Sequence, residues 1–187
     1  MTKSEHKKVL EAKKAAKEEL FKKSWPDADA AKTPLLLIYG PSKDKEDKLL
    51  LELLNGVSVL PVKMIIVDDN IPADTVSKPS GQITWVNSKD GRNMAEVENY
   101  LAAADMALVF DEDHENLGKI MQKGAIIIGH DISPMLENYH PNDETGNAFT
   151  FKSYNPWEMF RAIVRATETY RFPYDWENIV RGMFKIQ

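Results

Sequence analysis

LLLIYGPSKDK, residues 35–45, sets the reading of the whole chain. Five apolar residues in succession do not alternate with polar ones, so they suit a strand covered on both faces, as in a parallel sheet. Gly40 and Pro41 break the run, and residues 45–55 then take up helical spacing. The same punctuation recurs downstream. VKMIIV (62–67), ITWVN (83–87), ALVF (107–110), AIIIG (125–129) and the short FTF (149–151) are further apolar runs. Polar turns and helical stretches separate most of them. Strands alternating with helices predict βαβ units. Right-handed crossovers build such units into a single α/β, doubly wound, mostly parallel sheet of Rossmann type.

The helices carry their own signals. Met94, Val97, Leu101 and Ala104 recur at helical spacing over 93–104. DEDHEN (111–116) opens a helix that ends near Lys123, with Gly124 as its C′ residue. Ser133-Pro134 reads as an N-cap followed by Pro at N1. Asn155, Pro156 and Glu158 make the same signal more completely, with the acid three residues after the cap. Beyond it, Trp157, Phe160, Val164 and Thr167 share a face that Met159, Ile163, Ala166 and Tyr170 widen; this stripe is expected in the core. Phe172-Pro173 ends that helix, and a last one over 174–184 carries Trp176, Ile179, Val180 and Phe184. Residues 4–23, rich in Lys, Glu and Ala, predict an extra N-terminal helix with a thin apolar edge of Leu10, Leu20 and Phe21. The expected division is a basic helical arm over 1–23 and a Rossmann-like domain over 24–187.

Composition narrows the function. The 187 residues are 43% hydrophobic and 28% charged, values of a folded globule. There is no cysteine, which removes disulfide scaffolds, thiolate metal sites and cysteine nucleophiles together. No apolar run approaches the ~18 residues of a membrane span, and MTKSEHKKVLEAKK has no apolar signal-peptide core. A cytoplasmic protein without membrane contact is expected. Eight lysines and four glutamates give residues 1–23 a net +4, which leaves −9 for the rest of a chain of net −5. An acidic body argues against nucleic acid as a partner. The plain reading of the basic arm is a solvated helical face.

In doubly wound sheets ligands bind at the carboxyl ends of the strands. The loops of interest therefore follow Tyr39, Val67, Asn87, Phe110 and Gly129. Lys43 and Lys45, beside a helix start, can hold a phosphate, although no G-x-G-x-x-G or Walker pattern is present. Lys89 and Arg92 in SKDGRN can meet an anion, and a turn on Asp90-Gly91 explains them equally well. DEDHE (111–115) can serve acid–base chemistry or a cation; an acidic first turn matched to the helix dipole is the plainer account. His114 and His130 follow neighbouring strands, but the four histidines show no ligand spacing. No cofactor and no metal is expected.

Three stretches carry a family resemblance. KEELFKKSWPDADAAKTPLLLIYG (17–40), YLAAADMALV (100–109) and, most specifically, ETGNAFTFKSYNPWEMFRAIVRATETYRFPYDWENIVRGMF (144–184) resemble the C-terminal half of bacterial glycogen synthases and plant starch synthases, GT-B glycosyltransferases. The resemblance implies a GT-B C-terminal domain and glucosyl transfer from ADP-glucose or UDP-glucose to an α-1,4-glucan. In the family the C-terminal domain binds the nucleotide sugar and an N-terminal domain brings the acceptor.

The departures matter as much. Where the family has G-R-L-T-x-Q-K-G after its first strand, this chain keeps only Gly40, with Pro41 at the Arg position and Glu46 at the Lys position; Lys45 is one residue away. The S-R-F-E-P-C-G-L loop shrinks to DEDHENLG, which leaves Asp111 or Glu115 as stand-ins for its Glu. T-G-G-L becomes Asp131-Ile132-Ser133-Pro134, where Ser133 would offer an amide at a helix start. Cationic stabilisation of the leaving group is worth several kcal/mol per donor, and holding two substrates in one cleft is worth about 7–11 kcal/mol. The expectation is therefore a degenerate domain acting as a binding or interaction module for a nucleotide sugar, a glucan or a partner chain. The alternative is an active subunit completed by a separate acceptor-domain chain. Either way the expected nucleotide and phosphate contacts are Gly40, Lys43, Lys45, Asp131 and Ser133.

Overall fold

The computed structural model describes residues 3–39, 44–67, 81–86, 94–110 and 114–185. Along the chain these form α1 (Lys3–Ser24), β1 (Leu35–Tyr39), α2 (Asp44–Val57), β2 (Lys63–Val67), β3 (Ile83–Val86), α3 (Met94–Ala103), β4 (Met106–Leu108), α4 (His114–Gln122), β5 (Ile126–His130), β6 (Ala148–Phe151), α5 (Pro156–Tyr170) and α6 (Pro173–Phe184). The strands lie in the order β3-β2-β1-β4-β5-β6, and every pairing is parallel. From β1 the chain works outward to β3, then returns to β4 on the other side of β1. That reversal places helices on both faces and opens a crevice at the carboxyl ends of β1 and β4. The doubly wound Rossmann-like fold expected from the apolar runs is the fold observed.

Those runs are continuous because both faces of each strand are covered. Leu36, Leu37, Ile38, Ile65, Ile66, Ile127 and Ile128 are wholly buried. α2 and α5 pack together on one side, where the ring of Phe160 lies against Gly56. Gly124, at a φ of 73°, ends α4 in a Schellman pattern: its N–H donates to Met121 O and that of Ala125 to Ile120 O. Asn155 caps α5, its side-chain oxygen accepting from the amides of Trp157 and Glu158 at 3.0 Å each. The reciprocal half of a capping box is not made. Glu158 turns to Arg161 instead, at 2.8 Å, and Asn155 N–H donates to Ser153 O.

Three local expectations are corrected. Ser133-Pro134 starts no helix; it opens a turn closed by Leu136 N–H on Ser133 O. The backbone beyond is committed elsewhere, since residues 137–140 run beside β6. There Tyr139 N–H donates to Ala148 O, Ala148 N–H to Glu137 O, and Thr150 N–H to the Asn138 side chain. Trp157 is not core: it is 80% exposed, because the buried face of α5 is Met159, Ala162, Ile163, Ala166 and Thr167. The N-terminal helix, lastly, is no simple solvated face.

Successive residues of α1 meet the starts of successive strands. His6 stacks on Phe184 at the end of α6. Val9 and Lys13 lie over Gly124, just before β5. Lys13 Nζ donates to Ala104 O, and Lys17 Nζ lies 2.5 Å from Asp105 Oδ2, both just before β4. The same carboxylate oxygen accepts the N–H of Leu35, the first residue of β1, at 2.8 Å. Lys17 also donates to the Tyr170 hydroxyl at the end of α5. Past the helix, the buried Trp25 ring lies under Lys63, the first residue of β2. Thus α1 straps the amino edge of the sheet.

Candidate functional site

The carboxyl edge is where the topology leaves room for a ligand, and the described residues there are largely aromatic. Phe110, His130 and Phe151 end or follow three neighbouring strands, and Tyr154 lies in the short link from β6 to α5. They form a ladder. Tyr154 stacks on His130 with centroids 5.0 Å apart and planes 24° apart, and on Phe110 at 6.4 Å and 17°. Phe151 packs edge-on to both, at 5.7 Å from His130 and 5.4 Å from Tyr154. The Tyr154 hydroxyl donates to Phe110 O at 3.1 Å and ties the β6 end to the β4 end. Tyr154 nonetheless stays 41% exposed. Rings in such offset or edge-on arrangements hold one another through their quadrupoles, and Tyr154 is the exposed member of the four.

The loop after β5 adds polar groups. His130 Nδ1 accepts the N–H of Ile132 at 3.2 Å, which in the neutral imidazole leaves the proton on Nε2. Asp131 Oδ1 lies 3.5 Å from the same nitrogen, an ion pair whenever the ring is charged. Ser133 is only 4% exposed, yet its Oγ has no hydrogen-bond partner. A buried hydroxyl without a partner costs about 1–3 kcal/mol, a cost that Thr84 and Thr167 share elsewhere in the fold. Across the crevice, at the end of β1, burial pushes the Tyr39 hydroxyl up to about 12, with the Glu98 charge adding to the effect. It therefore stays protonated and able to donate.

The structure brings together Asp131 and Ser133 of the expected set, beside His130. Ser133 does so from a turn and not from a helix start. Lys45 falls in the first turn of α2. Glu115 stands in the first turn of α4, exposed and paired with Lys119 at 2.7 Å, as a charge suited to the helix dipole. Gly40, Lys43, Lys89, Arg92 and Asp111 lie outside the described residues. No group of three His, Asp or Glu that could hold a metal ion occurs among the described residues. No helix among them is long and apolar enough to cross a membrane.

The ladder itself was the missed feature. Its signal is positional: Phe110, His130 and Phe151 each stand at the carboxyl end of an apolar run, so topology, not local motif, gathers them. A cavity of about 410 Å³ lies elsewhere, between the lead-in to β6 and the end of α6, lined by Glu137, Glu144, Asn147, Asn178, Arg181 and Lys185 among others. Its groups answer one another. Glu144 accepts from Tyr174 and Asn178, and Arg181 donates to Asn178. It is a polar seam at the amino edge, remote from the strand ends that bind ligands in such folds.

No protein-family model matches the chain. Among solved structures it is similar to the C-terminal CMP-Kdo binding domain of WaaA from Acinetobacter baumannii. The match has 13% sequence identity and a TM-score of 0.54, and covers 95% of this chain and 98% of that one. At that identity the likeness is one of fold.

Proposed function

We propose that the chain is a glycosyltransferase domain of the GT-B C-terminal type that binds a nucleotide sugar at the carboxyl edge of its sheet. The observation that carries this reading is the Phe110–Tyr154–His130 ladder beside the buried, unpartnered Ser133 hydroxyl. A base stacks on such rings, and polar groups of the β5 loop meet the ribose or phosphates. Two further supports agree with it. The similar solved domain binds CMP-Kdo, itself a nucleotide sugar. The sequence also resembles glycogen and starch synthases, which use ADP-glucose or UDP-glucose.

Within this reading we favour a binding module over a working transferase. Pro41 and Glu46 stand where the synthases place the Arg and Lys that hold the diphosphate. A proline there offers no cation and no N–H, and a glutamate repels the leaving group. The second reading, an active glucosyltransferase subunit with a separate acceptor-domain chain, draws on Lys43 and Lys45 in the same loop.

Titration calorimetry with CMP, UDP, ADP and ADP-glucose tests the proposal. At least one nucleotide is expected to bind, and Tyr154→Ala to weaken it about tenfold, since base–aromatic stacking is worth ~1–3 kcal/mol. No heat with any of the four removes the nucleotide-sugar reading for this chain. Binding abolished by joint Lys43→Ala and Lys45→Ala substitution moves the weight to the active subunit.

A further inference from the structure

The amino-edge strap has an unusual fastening. Helices of domains this size dock through an apolar stripe, but in α1 only Phe21 is a buried apolar residue, with Val9, Ala16 and Leu20 partly covered. The other buried side chains are two lysines, Lys13 and Lys17. Their roles differ. Lys17 is neutralised: Asp105 lies 2.5 Å from its ammonium, Tyr170 accepts a hydrogen bond at 2.8 Å, and the rings of Phe21 and Tyr170 lie within 5.4 Å and 4.9 Å. Lys13 is given only a neutral carbonyl, Ala104 O at the end of α3. That carbonyl carries the partial negative charge of a helix C-terminus, worth a fraction of a full charge.

The charged and titratable groups facing Lys13 can be followed element by element. Its own helix offers Lys17, which repels it. The start of β4 offers Asp105, whose charge Lys17 already engages. The end of α5 offers the Tyr170 hydroxyl, held by Lys17. The turn before β5 offers the Gly124 backbone, with Lys123 beside it paired to Glu98 at the surface. The start of β1 offers only the Leu35 amide, already given to Asp105. Among the described residues Lys13 is thus a buried cation with no carboxylate of its own.

The geometry points to a releasable strap: α1 leaves and rejoins the amino edge as a unit, and the charge on Lys13 sets how firmly it is held. Two facts support release as a unit. The segment is 22 residues of strong helix formers with a Lys7–Glu11 pair, so it can persist as a helix when undocked. Its main packing partner is a single helix, α3, and the strands whose starts it passes pair with one another and not with it.

The sign follows from burial. Docked, Lys13 titrates near 8 in place of its ordinary 10.5, because burial disfavours the ammonium and Lys17 adds repulsion against the pull of Asp105. The docked strap therefore binds fewer protons than the free one between these values, and docking strengthens as pH rises through them. Between pH 7 and pH 9.5 the gain is roughly thirtyfold. Tyr170, whose hydroxyl burial raises, opposes this only above its ordinary 10.0.

The chain has no cysteine, so Ala12→Cys on the exposed side of α1 gives a unique spin-label site. The mobile fraction of the label is expected to fall several-fold from pH 7 to pH 9.5 in the otherwise unaltered full chain. In Lys13→Met it is expected to be the same at both. Lys14→Met, at an exposed neighbour, is expected to keep the dependence. Equal mobility at both pH values in the unaltered chain overturns the proposal, as does a pH dependence that survives Lys13→Met. Hydrogen exchange at pH 7 is the independent arm: earlier exchange of 4–23 than of β1 and β4 supports the strap, and simultaneous exchange overturns it.

Discussion

The two edges of one sheet have been built in opposite ways. At the amino edge, charge is brought inside and consumed: Lys17, Asp105, the Leu35 amide and the Tyr170 hydroxyl join four elements with the two ionic side chains 6% and 8% exposed. At the carboxyl edge, Phe110, Phe151, His130 and Tyr154 pack ring on ring, and Tyr154 stays 41% exposed. The first arrangement closes a structure; the second leaves one ring at the surface. Unpartnered polar atoms do not separate the two edges, since His6 Nε2 and Trp25 Nε1 are as unanswered at the amino edge as Ser133 Oγ is at the carboxyl edge. What separates them is a buried ion pair on one side and an aromatic ladder with one exposed ring on the other.

Substitutions sharpen that contrast. The largest loss is expected from Asp105→Ala, which leaves the Lys17 ammonium buried without a counter-charge and the Leu35 amide without an acceptor. Urea denaturation should show about 3–5 kcal/mol. Asn155→Ala, at the carboxyl edge, removes a single cap and should cost about 1 kcal/mol in the same experiment. Trp157→Ala, two residues further on, should stay within ~0.5 kcal/mol, because the indole is solvated. If Trp157→Ala costs as much as Asp105→Ala, the contrast between a spent edge and an open one is wrong.

The strands were legible because burial on both faces leaves an unbroken apolar signature; Leu35–Tyr39 and the core of the other runs need no partner to be recognised. β4 is set back slightly, at Met106–Leu108, yet Val109 N–H still donates to Ile128 O, so the predicted run is a strand in its hydrogen bonding. The α5 cap was readable because its partners lie within three residues. Reading failed where partners are distant. Lys13 and Lys17 look solvated among Lys, Glu and Ala until Ala104 and Asp105, some ninety residues on, supply an acceptor and a counter-charge. Ser133-Pro134 carries a helix signal that pairing beside β6 overrides. The ladder has no local motif at all. The resemblance to glucan synthases led to the right architecture, while the loops that hold the donor in those synthases fall where this sequence differs from theirs.

The segment at 137–140 has a consequence for how copies of the molecule behave together. β6 is the last strand of its side, and a bare outer strand invites a neighbour to add its own. Because Glu137, Asn138 and Tyr139 occupy that row of amides and carbonyls, cutting or loosening the segment should bare an edge onto which a second copy can add its own strand, and should loosen the Phe151 end of the ladder with it.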